Sequence, residues 1–414
     1  MRQLYSLLFL LLLPLILLRL WWKGRQLPGY RQHIGERLGR YPPATGRYIW
    51  LHAVSVGETR AAAPLVRALQ QRYPGCTLLL TQMTPTGRDT ARELFGNSCV
   101  CVYLPYDLAW PVARFLRHFR PAFGVLMETE IWPNLVHQCV VQRVPLYLVN
   151  ARLSERSARG YGKLRRLAGP AFAGLSAVAA QTNADAERLA ALGAPRISVC
   201  GNIKFDVQPP AETPQKTALL QSLCGERPIL LLASTRDGEE AVLLDAFLRQ
   251  QWPEQLLLLV VPRHPQRFDE VAALLQQRGL TCQRRSAGVP VAASTRALLG
   301  DSMGEMFAYY GVAAVALIGG SILPLGGQNL IEACAVGTPA LFGPHMFNFA
   351  EASRLALEAG AAAQADDAAA LMQLAASLLS DPQRRQAMSR AGIEFSQAHR
   401  GATDRIIALL PTLP

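Results

Sequence analysis

The chain has 414 residues, 50% of them hydrophobic and 17% charged, which excludes a disordered or collagen-like polymer and predicts two or three domains at roughly 100–200 residues each. Mean hydropathy is +0.14, high for a soluble enzyme and far too low for a multi-span membrane protein. A formal net charge of +12 favours an anionic partner: nucleic acid, an acidic lipid surface or a phosphorylated substrate.

Leu4 to Trp22, LYSLLFLLLLPLILLRLWW, is about one bilayer crossing long. Pro14 and Arg19 interrupt it, but Arg19 sits near its end, where the long side chain can snorkel, and Trp21 and Trp22 suit an aromatic belt. The following WWKGRQLPGY has no small-residue cleavage pattern, so an uncleaved anchor is expected rather than a signal peptide. A helix lying in one leaflet is the other reading. Lys23, Arg25, Arg31, Arg37 and Arg40 follow the segment, whereas only Arg2 and the amino terminus precede it. The positive-inside rule then puts everything after residue 22 in the cytoplasm. The cysteines, at 76, 99, 101, 139, 200, 224, 282 and 334, form no C-x-x-C pair, which fits free thiols in a reducing compartment better than zinc or a disulfide framework.

From residue 45 onward, short apolar runs alternate with longer amphipathic stretches, the pattern of parallel α/β architecture. Strands are predicted at Tyr48–Ser55, Thr77–Thr84, Val100–Pro105, Phe123–Glu128, Pro145–Asn150 and Ala177–Gln181, with helices over Thr59–Arg72, Gly87–Leu94 and Trp132–Gln142. A polar, proline-bearing stretch near Asp206–Pro228 marks a hinge, after which strands resume at Ile229–Ser234, Leu256–Val261, Arg296–Gly300, Ala314–Gly319 and Pro339–Phe342. The alanine-rich 359–376 stretch predicts a helix. The expected organisation is an anchor (1–22) and two Rossmann-like domains (23–206 and 207–414), with ligands beyond the carboxyl ends of the strands. The densest basic stretch, Arg152–Arg166, lacks the interleaved aromatics of a nucleic-acid platform. It reads as a solvated helix face or as a surface resting on anionic lipid.

Strand-to-helix junctions carry the candidate chemistry. In Tyr48–Arg60, Gly57 permits a tight turn and leaves Glu58 near a strand tip, placed either as a general base or as an acid favoured at a helix amino terminus. Glu128 and Glu130 follow another strand and would share a face if it continued, or else cap the helix begun by Pro133. Lys204 ends the first half, either as a surface residue or as a counter-charge. In the second half, Arg263 after Pro262 could hold a nucleotide phosphate. The segment Gly319–Ala333, GGSILPLGGQNLIEA, has two glycine pairs whose N–H groups could approach a phosphate at a helix start. It matches neither a dinucleotide fingerprint nor a P-loop. Glu332 either bridges a ribose diol or completes a capping box with Asn329.

Seven segments stand in order along the chain: HAVSVGE (52–58), METEIWPN (127–134), NARLSERS (150–157), GNIKFD (201–206), PRHPQRF (262–268), DSMGEM (301–306) and GGQNLIE (326–332). Together they resemble the membrane-anchored Kdo (3-deoxy-D-manno-oct-2-ulosonic acid) transferases of lipopolysaccharide assembly. The resemblance implies a GT-B fold of two Rossmann-like domains facing a cleft. It also implies CMP-Kdo as donor, the lipid A precursor (lipid IVA) as acceptor, and no cofactor or catalytic metal. The enzyme would work at the cytoplasmic face of the inner membrane, on an anionic surface and without nucleic acid. By motif, Glu58 would be the base, and Glu128 and Lys204 transition-state stabilisers. CMP would contact Pro262, Arg263, Met303, Gly304, Glu305, Asn329, Leu330, Ile331 and Glu332. Arg236 stands where the pattern leads one to expect histidine. Other readings are a different GT-B sugar-nucleotide enzyme and a non-catalytic, membrane-tethered nucleotide-binding scaffold.

Overall fold

YIWLH, at Tyr48–His52 (β1), is buried along its whole length, as a strand covered on both faces must be. Alternation sends Tyr48 and Trp50 to one side, with Phe115, Leu126 and Phe172, and Ile49 and Leu51 to the other, with Leu65, Val125 and Ile406. Each such fully buried large side chain contributes roughly 1.5–3 kcal/mol relative to exposure. The Trp50 indole N–H, which would otherwise be stranded, donates to the Thr81 hydroxyl at 2.8 Å.

The computed structural model describes residues 1–413, and the chain forms two units: residues 1–206 with 400–414, and residues 207–399. In the first unit β1 is joined by Thr77–Gln82 (β2), Cys99–Tyr103 (β3), Gly124–Met127 (β4), Leu146–Ala151 (β5), Ala177–Ala180 (β6) and Ile197–Val199 (β7). The order is β3-β2-β1-β4-β5-β6-β7, and every pairing is parallel. The strand order therefore reverses between β1 and β4. The second unit contains Ile229–Thr235 (β8), Leu257–Pro262 (β9), Cys282–Arg284 (β10), Ala297–Leu299 (β11), Val315–Ile318 (β12), Ala340–Phe342 (β13) and Ala362–Gln364 (β14). Its sheet, ordered β10-β11-β9-β8-β12-β13-β14, reverses between β8 and β12. Here Gly319 is dictated by close approach, since a Cβ on it would lie 2.4 Å from the Ser234 carbonyl oxygen.

Several sequence expectations are corrected. β7, β10 and β14 were not expected; each has three residues and is partly exposed, too short for a period-2 pattern to show. β14 lies inside the stretch expected to be one alanine-rich helix. Gly360, at φ 67°, ends the preceding helix, and Asp367 caps a new one over Ala368–Ser380. The helix expected over Thr59–Arg72 is two, Val56–Ala61 and Ala63–Arg72. Pro64, in the first turn of the second, lacks the N–H needed to continue the first.

The expected second domain ran to residue 414, but the described residues from 400 onward return to the first unit. The Asp206 carboxylate accepts the Gly401 and Ala402 N–H groups at 2.7 and 3.3 Å and that of Thr403 as well. It thereby caps the helix Ala402–Leu409, which buries Ile406 in the first core. Asp206→Ala is expected to destabilise that attachment by about 1 kcal/mol, the usual value of a lost cap. Hydrogen exchange across 402–409 should accelerate while β8–β14 amides are unchanged.

Candidate functional site

Two loops leave the carboxyl ends of β1 and β4 at the first unit's reversal point, the position where open α/β sheets bind ligands. Ser55 caps the short helix Val56–Ala61 by accepting the Glu58 N–H at 3.4 Å and donates its own hydroxyl to Glu58 Oε1 at 3.1 Å. The Val54 N–H donates to Oε2 at 2.7 Å. Burial pushes the Glu58 carboxyl up from near 4.5 to about 7, the Val54 N–H opposes it, and the negative charges of Glu128 and Glu130 push further. The helix-start geometry is thus real, yet the outcome is a carboxyl that gains or loses a proton near neutrality.

β4 ends at Met127, so Glu128 and Glu130 do not continue a strand with a common face. Glu128 adopts φ 56°, a left-handed conformation that costs a non-glycine residue about 1–3 kcal/mol and is held by its surroundings. Its N–H donates to the Val149 carbonyl at 3.0 Å. Glu130 accepts the Trp132 indole N–H at 2.8 Å, and burial raises its pKa, with Glu128 adding to the effect. The Trp132 ring stands edge-on to His52, 5.7 Å between centroids. His52 is fully buried and its Nδ1 lies 2.8 Å from the Thr81 hydroxyl and 3.0 Å from its carbonyl oxygen. Burial lowers its pKa to about 4, so this wall of the loop is a neutral ring.

Lys204 lies beyond β7 on a segment that turns back over the sheet. Asn202 donates to Gln181 at 3.1 Å, after β6, and the Ile203 N–H donates to the buried Asn150 side chain at 3.1 Å, at the end of β5. The Lys204 N–H is fixed by Asn202 Oδ1 at 3.0 Å. The segment therefore runs from β7 toward β4, on the edge that carries Glu58 and Glu128.

In the second unit, the Arg263 N–H donates to the Thr235 carbonyl at 2.9 Å, fastening the loop after β9 to β8. Arg267 reinforces it: Glu240, itself bonded to the Thr235 hydroxyl at 2.8 Å, accepts its Nη1 at 2.6 Å, and Asp237 and Glu270 flank Nη2. Pro262 is buried, whereas Met303 and Gly304 are exposed, and Gly304 has φ 74°. Glu305 accepts from Ser302 and, at 3.2 Å, from Arg285. Asn329 Nδ2 donates to Glu332 at 3.1 Å while its Oδ1 accepts the Ile331 N–H at 3.1 Å. Leu330 and Ile331 are buried, so of this run only the side chains of Asn329 and Glu332 offer partly exposed polar groups.

The glycine loop differs from its expected role. The Gly320, Ser321 and Ile322 N–H groups are directed at the buried Glu239 carboxylate, at 2.6, 3.1 and 3.1 Å. They brace the reversal point between β8 and β12 instead of standing open to a phosphate. The helix that follows, Ile331–Ala335, has five residues, too few to develop a substantial dipole. Sequence reasoning missed Glu239, since its partners are some eighty positions away and STRDGEE reads locally as a helix start. It missed Arg267 because its buried partner Glu240 lies 27 positions away, across a chain reversal. Glu130 was noted only as half of a pair.

A family model described as 3-deoxy-D-manno-octulosonic-acid transferase (kdotransferase) matches residues 32–207. The chain is 45% identical over 425 residues to a 3-deoxy-D-manno-octulosonic acid transferase of Bordetella pertussis, covering 99% of this chain and 98% of that protein. The correspondingly named Haemophilus influenzae protein is 40% identical over 420 residues, covering 99% and 98%. The UDP-GlcNAc 2-epimerase from Neisseria meningitidis, bound to UDP-GlcNAc, aligns with TM-score 0.59 at 14% identity, covering 88% of this chain and 99% of that one. The last similarity shows a shared fold of two parallel-sheet α/β units, the GT-B type.

Because the folded protein holds the Glu58 proton more tightly than the unfolded chain does, stability falls as pH rises from 4.5 to about 7. Glu58→Gln is therefore expected to raise the melting temperature above pH 7 and to leave it unchanged near pH 4. At roughly 1.4 kcal/mol per pKa unit, discounted for solvent screening, the gain is on the order of 1–3 kcal/mol. Melting curves at the two pH values check it.

Proposed function

The chain belongs to the 3-deoxy-D-manno-octulosonic acid transferase family, and from that premise we propose that it moves Kdo from CMP-Kdo to the lipid A precursor (lipid IVA) at the cytoplasmic face of a bacterial inner membrane. The observation that carries the mechanism is Glu58, a carboxyl at the strand-order reversal whose pKa of about 7 suits a general base at neutral pH. The acceptor hydroxyl gives its proton to Glu58 as its oxygen bonds to the anomeric carbon of Kdo. The bond from that carbon to the phosphate oxygen breaks, and CMP leaves with the electron pair and with inversion.

Lys204 supplies positive charge to the transition state and Glu128 helps to order it. Glu128 and Glu130 also keep Glu58 basic enough to accept a proton. CMP is held in the second unit by Pro262 and Arg263, by Met303, Gly304 and Glu305, and by Asn329, Leu330, Ile331 and Glu332. With the Gly320–Ile322 N–H groups committed to Glu239, negative charge on CMP is met mainly by side chains, Arg263 first. The lipid A acceptor is supported by the apolar helix Arg2–Lys23, long and apolar enough to cross a membrane, and by the exposed arginines and lysine of residues 152–166.

Incubation with CMP-Kdo and lipid IVA, followed by product mass, tests the assignment; CMP binding without a Kdo-bearing product would reject it. Because only ionised Glu58 accepts a proton, kcat/KM should rise tenfold per pH unit below about 7 and level off above. Glu58→Gln should lower transfer by about 10²–10⁴ with little change in CMP affinity. Glu130→Gln, which removes one like charge, should move the limb to lower pH. Glu332→Ala should weaken CMP binding by about 1.5–3 kcal/mol if its carboxylate holds the ribose; calorimetric titration measures this, and a lowered melting temperature alone would make it a local brace.

A further inference from the structure

The Arg2–Lys23 helix is not held by one end. Arg2 Nη1 donates to the Asn134 side chain at 3.3 Å, and Ser6 and Asn134 exchange a bond at 2.9 Å. Tyr5 bonds to Asp107, and Phe9 lies 6.0 Å from Tyr106 between ring centroids. At the other end, the Trp21 carbonyl accepts Arg31 Nε at 3.0 Å. Between these points Leu20 is buried and Leu13, Ile16 and Leu17 are half-buried, all on one face of the helix. The opposite stripe, Leu4, Leu8, Leu11, Leu15, Leu18 and Trp22, is half or more exposed throughout.

These contacts conflict with a bilayer crossing. Twenty-two helical residues span about 33 Å, so a crossing helix would leave Arg2 on the far side of the membrane from Asn134. Instead, Arg2 and Ser6 touch the segment just after Glu128 and Glu130. Asp107 fixes the start of that same helix, Pro133–Val141, by accepting the Asn134 and Leu135 N–H groups at 3.1 and 2.7 Å. Tyr106 and Asp107 follow β3, and Asn134 follows β4, so the helix lies on the carboxyl edge of the sheet. The charge count behind the crossing also weakens: Arg37 is 1% exposed, stacks on Tyr103 at 4.0 Å and donates to the Met83 carbonyl.

We propose that the helix lies in the plane of one leaflet, its exposed leucine stripe in the acyl boundary of an anionic cytoplasmic monolayer, with both ends on the cytoplasmic side and its first turns docked on the start of the Pro133–Val141 helix. This deepens the membrane location proposed above. The occupant is argued from charge and pattern. The apolar face ends in exposed Trp21 and Trp22, and the exposed cations Arg25 and Arg31 stack on the Trp21 ring at 4.9 and 4.7 Å, an arrangement suited to headgroups over acyl chains. The exposed basic run after β5, Arg152 to Arg166, begins on the same edge. The membrane surface thus meets the edge of the sheet that carries Glu58, Glu128 and Glu130.

Two measurements on the full chain test this without using transfer activity. An epitope fused before Met1 should resist protease in intact spheroplasts and be cleaved in inverted membrane vesicles. Cleavage in intact spheroplasts would place the amino terminus outside and overturn the proposal. In membranes, Ser6→Cys with Asn134→Cys should give an oxidant-dependent 6–134 cross-linked peptide by mass spectrometry. Its absence, with each single-cysteine variant labelled normally, would overturn the docked geometry. Because neither readout depends on Kdo transfer, a failure here and a failure of the proposed reaction remain distinguishable.

Discussion

A parallel sheet delivers all its working loops to one edge, where backbone N–H groups are left without ladder partners. This protein satisfies them with buried or half-buried carboxylates. Glu36 accepts the Tyr103 N–H, Glu58 that of Val54, Asp107 those of Asn134 and Leu135, and Asp185 that of Leu153. Asp206 holds the returning carboxyl terminus, and Glu239 gathers three donors across the second reversal point. A hydrogen bond to a charged group contributes about 1.5–3 kcal/mol, and breaking one strands a buried donor as well. These acids are therefore the cross-braces that hold the loops above the strand tips.

The candidate base is one member of this set placed under different electrostatics. Glu239 is fully buried, yet the three loop donors and the Arg236 N–H oppose the rise that burial causes. Glu58 has the Val54 N–H and the Ser55 hydroxyl, and faces Glu128 and Glu130 as well, so its carboxyl is pushed to about 7. The same local motif, an acid at a helix start, thus meets four N–H donors in one unit and two donors with two like charges in the other. Donor number and the sign of neighbouring charge separate the two, and neither is a property of the helix start itself.

That distinction explains how much was legible in sequence. The central strands are visible because full burial demands uninterrupted apolar runs such as ILLLAST and LLLVVP. The edge strands are not, since three half-exposed residues carry no such demand. Glu58, Glu128 and Lys204 could be singled out because each follows a strand. What could not be read is long-range pairing. Glu239 meets Gly320, Asp206 meets Gly401, and Arg2 meets Asn134, all through chain reversals that only the packed sheets bring about. The glycine-rich run is expected to offer its N–H groups to a phosphate, but those of Gly320, Ser321 and Ile322 turn inward to Glu239. Gly326 is confined by packing too, since a Cβ there would meet Asn348 at 2.2 Å.

The net charge of +12 already subtracts every carboxylate, so arginines paired inside the fold add nothing to it. Part of the arginine content is internal structure: Arg88 is held bidentately by Glu36, at 2.9 and 3.1 Å, Arg37 lies against Tyr103, and Arg267 is clasped by Glu240 and Glu270. Arg88 and Arg267 cannot act on a distant partner, because their field is cancelled by the carboxylates they contact. What remains exposed is unevenly distributed, with Arg152 directly after β5 and Arg156, Arg159, Lys163, Arg165 and Arg166 on the two short helices that follow. Exposed charges act over about a Debye length, roughly 10 Å at 0.1 M salt. A basic run on the strand-tip edge therefore influences an anionic surface only if that edge faces it. The apolar stripe of the amino-terminal helix, fastened along the same edge, supplies the orientation that the charges alone would lack.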